Sequence, residues 1–128
     1  MLKIQAIKLP IITFSNILLF LLFFSFGCKV TKSKDINYME EGFNQNFPEK
    51  QLNIFSPKKA AEAKAVFIFV HGGSWNSGKK DLYDFFGKRL ARKGIVAVNI
   101  DYPLSPEYII SDMTMAVAKS VKWVKENI

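Results

Sequence analysis

The sequence has very little of the two residue types that most readily bind metals and carry out acid–base chemistry. Its 128 residues include one cysteine, Cys28, and one histidine, His71. Because zinc-type sites combine several cysteine, histidine or carboxylate ligands, a lone histidine with no cysteine or second histidine nearby argues against such a site. We therefore predict that the chain holds no metal ion.

Clustered positive charge is also missing. Lysine and arginine number 18 against 11 aspartates and glutamates, which gives a formal net charge of +7. A nucleic-acid-binding protein gathers its basic residues on one face or element. Here the lysines are scattered along the chain, so we expect most of them to be solvated surface residues and predict no nucleic-acid partner.

The first 26 residues resemble a secretory signal. Lys3 and Lys8 give a positive start, and an apolar segment follows at 11–26. Its unbroken part, residues 17–24, is shorter than the roughly 20 apolar residues that span a bilayer. Residues 1–27 are therefore predicted to be a signal peptide that directs the protein to the cell envelope.

The end of this segment resembles a bacterial lipobox. Gly27 precedes Cys28, although Ser25 stands where such motifs usually have leucine. A lipid on Cys28 would attach the protein to a membrane, with residues 28–35 as a flexible polar tether. An ordinary signal peptide, or an uncleaved anchor with an incidental cysteine, is the alternative.

Strands are predicted in four places beyond the tether. Residues 36–39 and 51–55 are short candidates that would pair as a hairpin. Continuous apolar runs at 65–70 and 95–100 lack the alternation of a half-exposed strand. Such runs are typical of parallel strands that are buried on both faces.

Two helices are predicted from capping residues and apolar periodicity. The first spans 81–93, with Asp81 as its N-cap and Gly94 as its C-cap, and the second begins at Ser111 or Asp112. Strand, helix, strand and helix after a hairpin predict an α/β fold. Each helix has an apolar face, formed by Leu82, Phe85, Phe86 and Leu90 in the first and by Met113, Val117, Val121, Val124 and Ile128 in the second.

The strand at 65–70 ends in His71-Gly72-Gly73. Two glycines let the backbone turn with no side chain in the way, and they leave bare amide N–H groups where open α/β sheets bind ligands. We take these amides as a candidate oxyanion hole. The pattern also fits a tight turn that merely needs glycine, and His71 fits a general base, a metal ligand or a structural residue.

Residues 71–75, His-Gly-Gly-Ser-Trp, resemble the HGGxW signature of α/β-hydrolases of the carboxylesterase, feruloyl-esterase-like and aryl-formamidase type. Asp-Tyr-Pro-Leu-Ser-Pro-Glu at 101–107 is similar to that family's D-Y-R-L-S-P-E loop. Leu-Asn-Ile-Phe-Ser-Pro at 52–57 resembles its L-D-I-Y-x-P strand. The resemblance covers residues 36–128 and implies a partial α/β-hydrolase sheet, the N-terminal portion of such a domain.

This resemblance implies a role for each residue of the loop. The amides of Gly72, Gly73 and Ser74 would bind the developing oxyanion, and His71 would shape the loop rather than act as the base. Trp75 would either line the substrate pocket or pack under the loop. No organic cofactor is implied.

The second motif carries one departure and one further expectation. Pro103 stands where the family has arginine, so a side chain that helps to tie this loop is missing. Tyr102 and Trp123 are expected to be core residues rather than site residues.

The family's nucleophile elbow, G-x-S-x-G, has no counterpart in the sequence, because no serine after the turn is flanked by glycines in that way. We therefore predict that nucleophile, acid and base are not in this chain and that the chain alone is inactive. The fold would stop before the nucleophile strand. The strand at 65–70 would then pair with the strand at 95–100 on one side and have an unpaired edge on the other.

These features predict a secreted, lipid-anchored serine hydrolase that acts on small-molecule carboxylic esters, present as an N-terminal fragment with the oxyanion-hole loop. One alternative is a fragment of a prolyl-oligopeptidase-like peptidase. The other is a catalytically inactive, membrane-tethered remnant or binding module.

Overall fold

A computed structural model describes residues 30–39, 51–59, 63 and 65–128. The predicted signal peptide and Cys28 lie outside these residues. No helix in the described part is long and apolar enough to cross a membrane. In chain order the elements are β1 (Val30–Asn37), β2 (Gln51–Pro57), β3 (Ala65–Val70), a short 3-10 helix (Lys80–Tyr83), α1 (Asp84–Arg92), β4 (Ile95–Ile100) and α2 (Ile110–Asn127).

The four strands form one mixed sheet in the order β1-β2-β4-β3. β1 and β2 are antiparallel, which confirms the predicted hairpin pairing, and β2 is antiparallel to β4. β3 and β4 are parallel, in register from Ala65 opposite Ile95 to Val70 opposite Ile100. The predicted α/β class and the predicted pairing of the strands at 65–70 and 95–100 are therefore confirmed.

β4 contributes to the hydrophobic core on both faces of the sheet, because successive side chains of a strand point to opposite faces. Val98 and Ile100 join the larger cluster, to which α2 contributes Met113. Ala97 packs on the opposite face with Phe55 and Ala91, the latter from α1. The two helices thus cover opposite faces of the sheet.

β1 begins earlier than predicted. The sequence predicts a flexible tether over residues 28–35, but residues 30–35 form most of a strand whose backbone pairs with β2 from Val30 opposite Pro57 onward. That part of the prediction is wrong. Its cause is the polar composition of the segment, since backbone pairing at the edge of a sheet needs no apolar side chains. Lys32 also forms an ion pair with Asp84 of α1.

β3 is more exposed than its apolar sequence predicts. Val66, Phe67 and Val70 are 44%, 43% and 42% exposed, so the expectation of a strand buried on both faces is wrong here. Among the described strands, β3 pairs with β4 alone. It is an edge strand with an apolar side among the described strands, partly covered by the aromatic contacts of Phe67 and Phe69 with Phe86 and of Phe69 with Tyr83.

The predicted helix at 81–93 is a 3-10 turn followed by a shorter α-helix. Asp81 is not its N-cap. It lies inside the 3-10 turn, where its Oδ1 accepts a hydrogen bond from Nδ2 of Asn53 at 2.7 Å. Gly94 has a φ of +81°, in the left-handed region, as predicted for the residue that ends the helix.

The buried face of the segment 81–93, the 3-10 helix and α1 together, is only partly the predicted one. Leu82 and Phe85 are exposed, whereas Leu90 packs against the Phe55 cluster. Gly87 is buried at the contact with the sheet, and a Cβ there would overlap the ring of Phe55. The helix therefore approaches the sheet more closely than any larger residue at position 87 would allow.

α2 begins at Ile110, before either predicted cap. Asp112 lies in the first turn, where its Oδ2 accepts a hydrogen bond from the N–H of Ile109 at 3.2 Å. The buried face also differs from the predicted one, because Val121 and Ile128 are exposed. The buried residues of this helix are Met113, Ala116, Ser120 and Val124.

Candidate functional site

The loop after β3 is held in an unusual backbone conformation. Gly73, Ser74 and Trp75 have φ angles of +139°, +53° and +61°. Two consecutive non-glycine residues in the left-handed region cost free energy, and such strain is concentrated at functional sites. The turn is closed by the carbonyl of Gly73, which accepts hydrogen bonds from the N–H groups of Asn76 at 3.2 Å and Ser77 at 3.1 Å.

Packing excludes a side chain at one of the two glycines of the motif but not at the other. A Cβ at Gly73 would overlap the backbone carbonyl of Ser77, and the hydroxyl of Ser77 also donates to the Gly73 carbonyl at 2.8 Å. A Cβ on Gly72 would meet no atom within 4 Å. Packing within the described residues therefore requires glycine at 73 but not at 72. The sequence pattern alone could not separate the two.

The imidazole of His71 lies behind this loop, with the residue only 2% exposed. Its Nδ1 is 3.1 Å from the carbonyl oxygen of Gly72, and its Nε2 is 3.6 Å from Oδ1 of Asp101. The ring stacks on Tyr102, with 4.6 Å between centroids. The hydroxyl of Tyr102 donates to the backbone carbonyl of His71 at 2.8 Å. These contacts hold the ring and the backbone carbonyl of His71 in place, and its role in shaping the loop stays a prediction.

Asp101 and Lys80 form a buried ion pair beneath the loop. Oδ2 of Asp101 is 3.0 Å from Nζ of Lys80, and Oδ1 accepts the backbone N–H of Lys80 at 2.6 Å. Nζ of Lys80 also lies 2.9 Å from Oδ1 of Asp35 in β1. Sequence reasoning missed this network, because Lys80 reads as one of many surface lysines until the fold places it beside the end of β4.

The protonation of this pair follows from its surroundings. Burial by itself would raise the pKa of Asp101, but the nearby imidazole of His71 and the hydrogen bonds and positive charge of Lys80 outweigh burial and hold that pKa below its usual value. Burial would lower the pKa of Lys80, but hydrogen bonds to Asp35 and Asp101 outweigh it and raise that pKa. Both groups are therefore charged at neutral pH.

A cleft of about 560 Å³ opens above the loop. The loop residues 70–75 and Tyr102 form one side, and α2 forms the other with Met113, Thr114 and Val117. Tyr102 is also a buried core residue, as predicted, so it belongs to both the core and the wall of the cleft. Trp123 packs against the same core cluster as predicted and does not line this cleft.

Trp75 lies between this cleft and a neighbouring one of about 430 Å³. Its side of the loop is open, since the residue is 61% exposed. Of the two interpretations of Trp75, the structure therefore excludes packing under the loop. Its carbonyl accepts the N–H of Ser105 at 2.8 Å, which ties the loop at 101–107 to this one although Pro103, fully buried, replaces the expected arginine.

No cluster of three histidine, cysteine, aspartate or glutamate side chains suited to a metal ion occurs in the part of the chain that the structure describes. Gly72, Gly73 and Ser74 instead line a cleft with mostly apolar walls, and the buried Lys80–Asp101 ion pair lies behind them, next to His71.

The sequence is similar to known esterases. The BD-FAE family model matches residues 52–128. A probable isoprenylcysteine alpha-carbonyl methylesterase of Oryza sativa subsp. japonica is 33% identical over 81 residues, which cover 63% of this chain and 20% of that protein. Gut esterase 1 of Caenorhabditis elegans is 34% identical over 88 residues, 60% of this chain and 16% of the relative. The chain thus spans a fifth or less of the length of the curated relatives that it matches.

Solved structures are similar over a larger share of this chain. Esterase B from Lactobacillus rhamnosis superposes with a TM-score of 0.67 and 22% identity, over 77% of this chain and 30% of the esterase. A truncated carbohydrate esterase from gut microbiota has a TM-score of 0.62 and 24% identity, over 76% of this chain and 33% of that one. These similarities establish the fold.

Proposed function

The chain belongs to the BD-FAE family of α/β-hydrolase esterases, and from this premise we propose that it supplies the oxyanion-binding half of a serine hydrolase that cleaves small-molecule carboxylic esters. The observation that carries the proposal is the strained loop at 73–75. It follows the parallel strand β3 and lines an open cleft. The amides of Gly72, Gly73 and Ser74 are the proposed donors.

The chemistry follows from where charge develops. When a nucleophile attacks an ester carbonyl, the carbonyl oxygen becomes negative, and preorganised N–H donors stabilise it more than they stabilise the substrate. One such donor is typically worth about 3 to 4 kcal/mol of the barrier. His71 lies behind the loop, and Trp75 separates two clefts that would receive the two sides of an ester.

We propose further that the nucleophile, the general base and its acidic partner are supplied by residues outside these 128. The support is the absence of a G-x-S-x-G pattern from the sequence and the exposed apolar side of β3. A parallel strand added there would carry its own carboxyl end to the same edge of the sheet as the Gly72–Ser74 amides, which is where a nucleophile has to stand.

A chimera tests the proposal. Residues 52–128 would replace the matching segment of an active BD-FAE esterase that retains its own G-x-S-x-G strand. We expect the chimera to hydrolyse 4-nitrophenyl butyrate and the Gly73→Ala chimera to lose at least about tenfold in kcat, since one donor is displaced. A folded chimera without turnover would contradict the proposal.

The same assay separates the alternatives. The 128-residue chain alone is expected to show no turnover and no labelling by a serine-directed phosphonate. Faster cleavage of a peptide 4-nitroanilide than of the ester by the chimera would favour the peptidase alternative. The relatives reported above carry esterase names, which is why the ester is the leading candidate.

We also propose secretion to the cell envelope and lipid attachment at Cys28, supported by the lipobox-like Ser-Phe-Gly-Cys at 25–28. β1 begins at Val30, so Lys29 alone separates Cys28 from the folded sheet. Growth with an alkyne fatty-acid analogue, followed by click detection, should label the wild-type protein and not Cys28→Ala. Equal labelling of the two would contradict the attachment.

A further inference from the structure

Four charged or polar residues form a chain of contacts from β1 to the loop: Asp35, which is exposed, and Lys80, Asp101 and His71, which are buried. Lys80 is 4% exposed, and its ammonium lies between the carboxylates of Asp35 and Asp101. Asp101 then lies between Lys80 and the imidazole of His71. This chain connects the edge of the sheet that is farthest from β3 to the residue behind the candidate oxyanion hole.

Asp101 is fixed through its backbone as well as its side chain. Its carbonyl accepts the hydroxyl of Tyr38 at 2.8 Å, and its N–H donates to the carbonyl of Gln51 at 2.9 Å. Its two carboxylate oxygens take the N–H and the ammonium of Lys80. The carboxylate therefore cannot turn away from His71 without breaking contacts to Lys80.

Both ring nitrogens of His71 face acceptors. Nδ1 is 3.1 Å from the carbonyl oxygen of Gly72, and Nε2 is 3.6 Å from a carboxylate oxygen of Asp101. A neutral imidazole carries one proton, so it would set a lone pair against one of these oxygens. Only the doubly protonated ring presents a proton to both oxygens, and at 3.6 Å its contact with Asp101 is an ion pair rather than a hydrogen bond.

The charges around the ring agree with that state. Besides Asp101, the titratable groups of the described residues that face the imidazole include Tyr83 of the 3-10 helix and Tyr102, whose rings lie parallel or nearly parallel to it at 6.4 and 4.6 Å, and Lys80 behind Asp101. Lys80 opposes a second positive charge, but Asp35 offsets Lys80. With a charged His71, the four-residue chain holds two positive and two negative charges.

The contact between Nδ1 of His71 and the carbonyl of Gly72 links the state of the ring to the orientation of the loop backbone. The carbonyl of Gly72 and the N–H of Gly73 belong to one planar, trans peptide unit, so they point in opposite directions. A proton on Nδ1 that holds the carbonyl toward the buried ring thereby turns the N–H of Gly73 away from it, out of the protein interior.

We propose that Asp101, anchored by Lys80, holds His71 as a doubly protonated imidazolium, and that this pair positions the Gly73 N–H. Asp101 and Lys80 are positioning residues in this proposal. Its catalytic meaning rests on the proposed ester hydrolysis, but the protonation and the geometry do not.

The test uses the complete 128-residue chain, in which His71 is the only histidine. Nitrogen-15 NMR of the histidine-labelled wild-type protein at pH 7 should show both ring nitrogens protonated. One unprotonated ring nitrogen would overturn the proposal. This measurement needs no variant and no turnover, so it stands whether or not the chain takes part in ester hydrolysis.

Asp101→Asn then tests the cause. We expect loss of one ring proton at pH 7 and a shift of the Gly73 amide cross-peak. The matched control is Asp112→Asn, which removes a carboxylate in the first turn of α2 and should leave the ring protons unchanged. An Asp101→Asn protein that is folded and keeps both ring protons would overturn the role of Asp101, and if this variant does not fold, the wild-type spectrum still decides the protonation.

Discussion

The ammonium nitrogen of Lys80 lies 3.0 Å from Oδ2 of Asp101, and both side chains are almost completely removed from solvent. Removing one partner of a buried ion pair leaves the other charge without compensation, which typically costs about 3 to 5 kcal/mol. Lys80→Met keeps most of the side-chain volume and removes the charge. We therefore expect it to lower the free energy of unfolding by several kcal/mol, measured by urea titration.

The control for this prediction is Lys122→Met. Lys122 pairs with Glu126 one turn away on α2 at 3.6 Å, but both side chains are more than half exposed. Such surface pairs contribute about 0 to 1 kcal/mol. If both lysine variants lose the same stability, Lys80 has no special structural role.

The same pair predicts how stability depends on pH. Asp101 has a folded-state pKa below its unfolded value, so it contributes stability above about pH 4 that is lost as the pH falls through the folded pKa. Lys80 has a raised pKa, so its contribution is present below about pH 10.4 and is lost as the pH rises through the folded pKa. The melting temperature should therefore fall on both sides of a broad maximum.

Asp101→Asn checks the acid side of this profile. The variant should be less stable at pH 7, and its melting temperature should change less than that of the wild-type protein between about pH 5 and pH 2, because one linked carboxylate is gone. An acid limb as steep as that of the wild type would mean that other carboxylates determine it.

The two glycines of the loop provide a matched pair. Gly73 combines a φ of +139° with a position where a Cβ would overlap Ser77, whereas a Cβ at Gly72 would meet open space. Gly73→Ala should therefore destabilise the chain by about 1 to 3 kcal/mol. Gly72→Ala should be much closer to neutral. The measurement is thermal or urea unfolding of the two variants side by side, and equal losses would contradict the difference that the geometry predicts.

Much of the sheet could be predicted from the sequence because its signals are local. Continuous apolar runs predicted the β3 and β4 pairing, and the strand before Pro57 predicted the partner of β1. Local pattern could not reveal that Val30 begins a strand, because a polar edge strand is specified by its partner's backbone. Nor could it explain Gly87, whose reason is the ring of Phe55 from a distant part of the chain.

The candidate site also has a part that the sequence predicts and a part that it does not. The glycine turn and Trp75 could be identified as a motif, since their function depends on residues next to one another. Lys80 could not, because its partners Asp35 and Asp101 lie 45 residues before and 21 residues after it and meet it only in the folded chain. Long-range electrostatic support of this kind leaves no periodicity or spacing in the sequence.

Trp75 gives a direct measure of ligand binding by the chain itself. The protein has two tryptophans, and Trp75 lies at the wall shared by the two clefts, 61% exposed. An uncharged ester with an apolar group on each side, such as hexyl butyrate, should cover the indole when it occupies both clefts. In a Trp123→Phe background, where Trp75 alone emits, we expect a blue shift and saturable change of fluorescence.

The matched variant is Trp75→Phe, in which Trp123 alone emits. Trp123 packs against the core and lines a separate cleft of about 260 Å³ with Tyr38 and Lys122, so the ester should not alter its emission. Similar responses from both tryptophans would mean that the ester associates with apolar surface in general, including the exposed side of β3. A response confined to Trp75 would place the ester beside the Gly72–Ser74 amides, because the same cleft is lined by both.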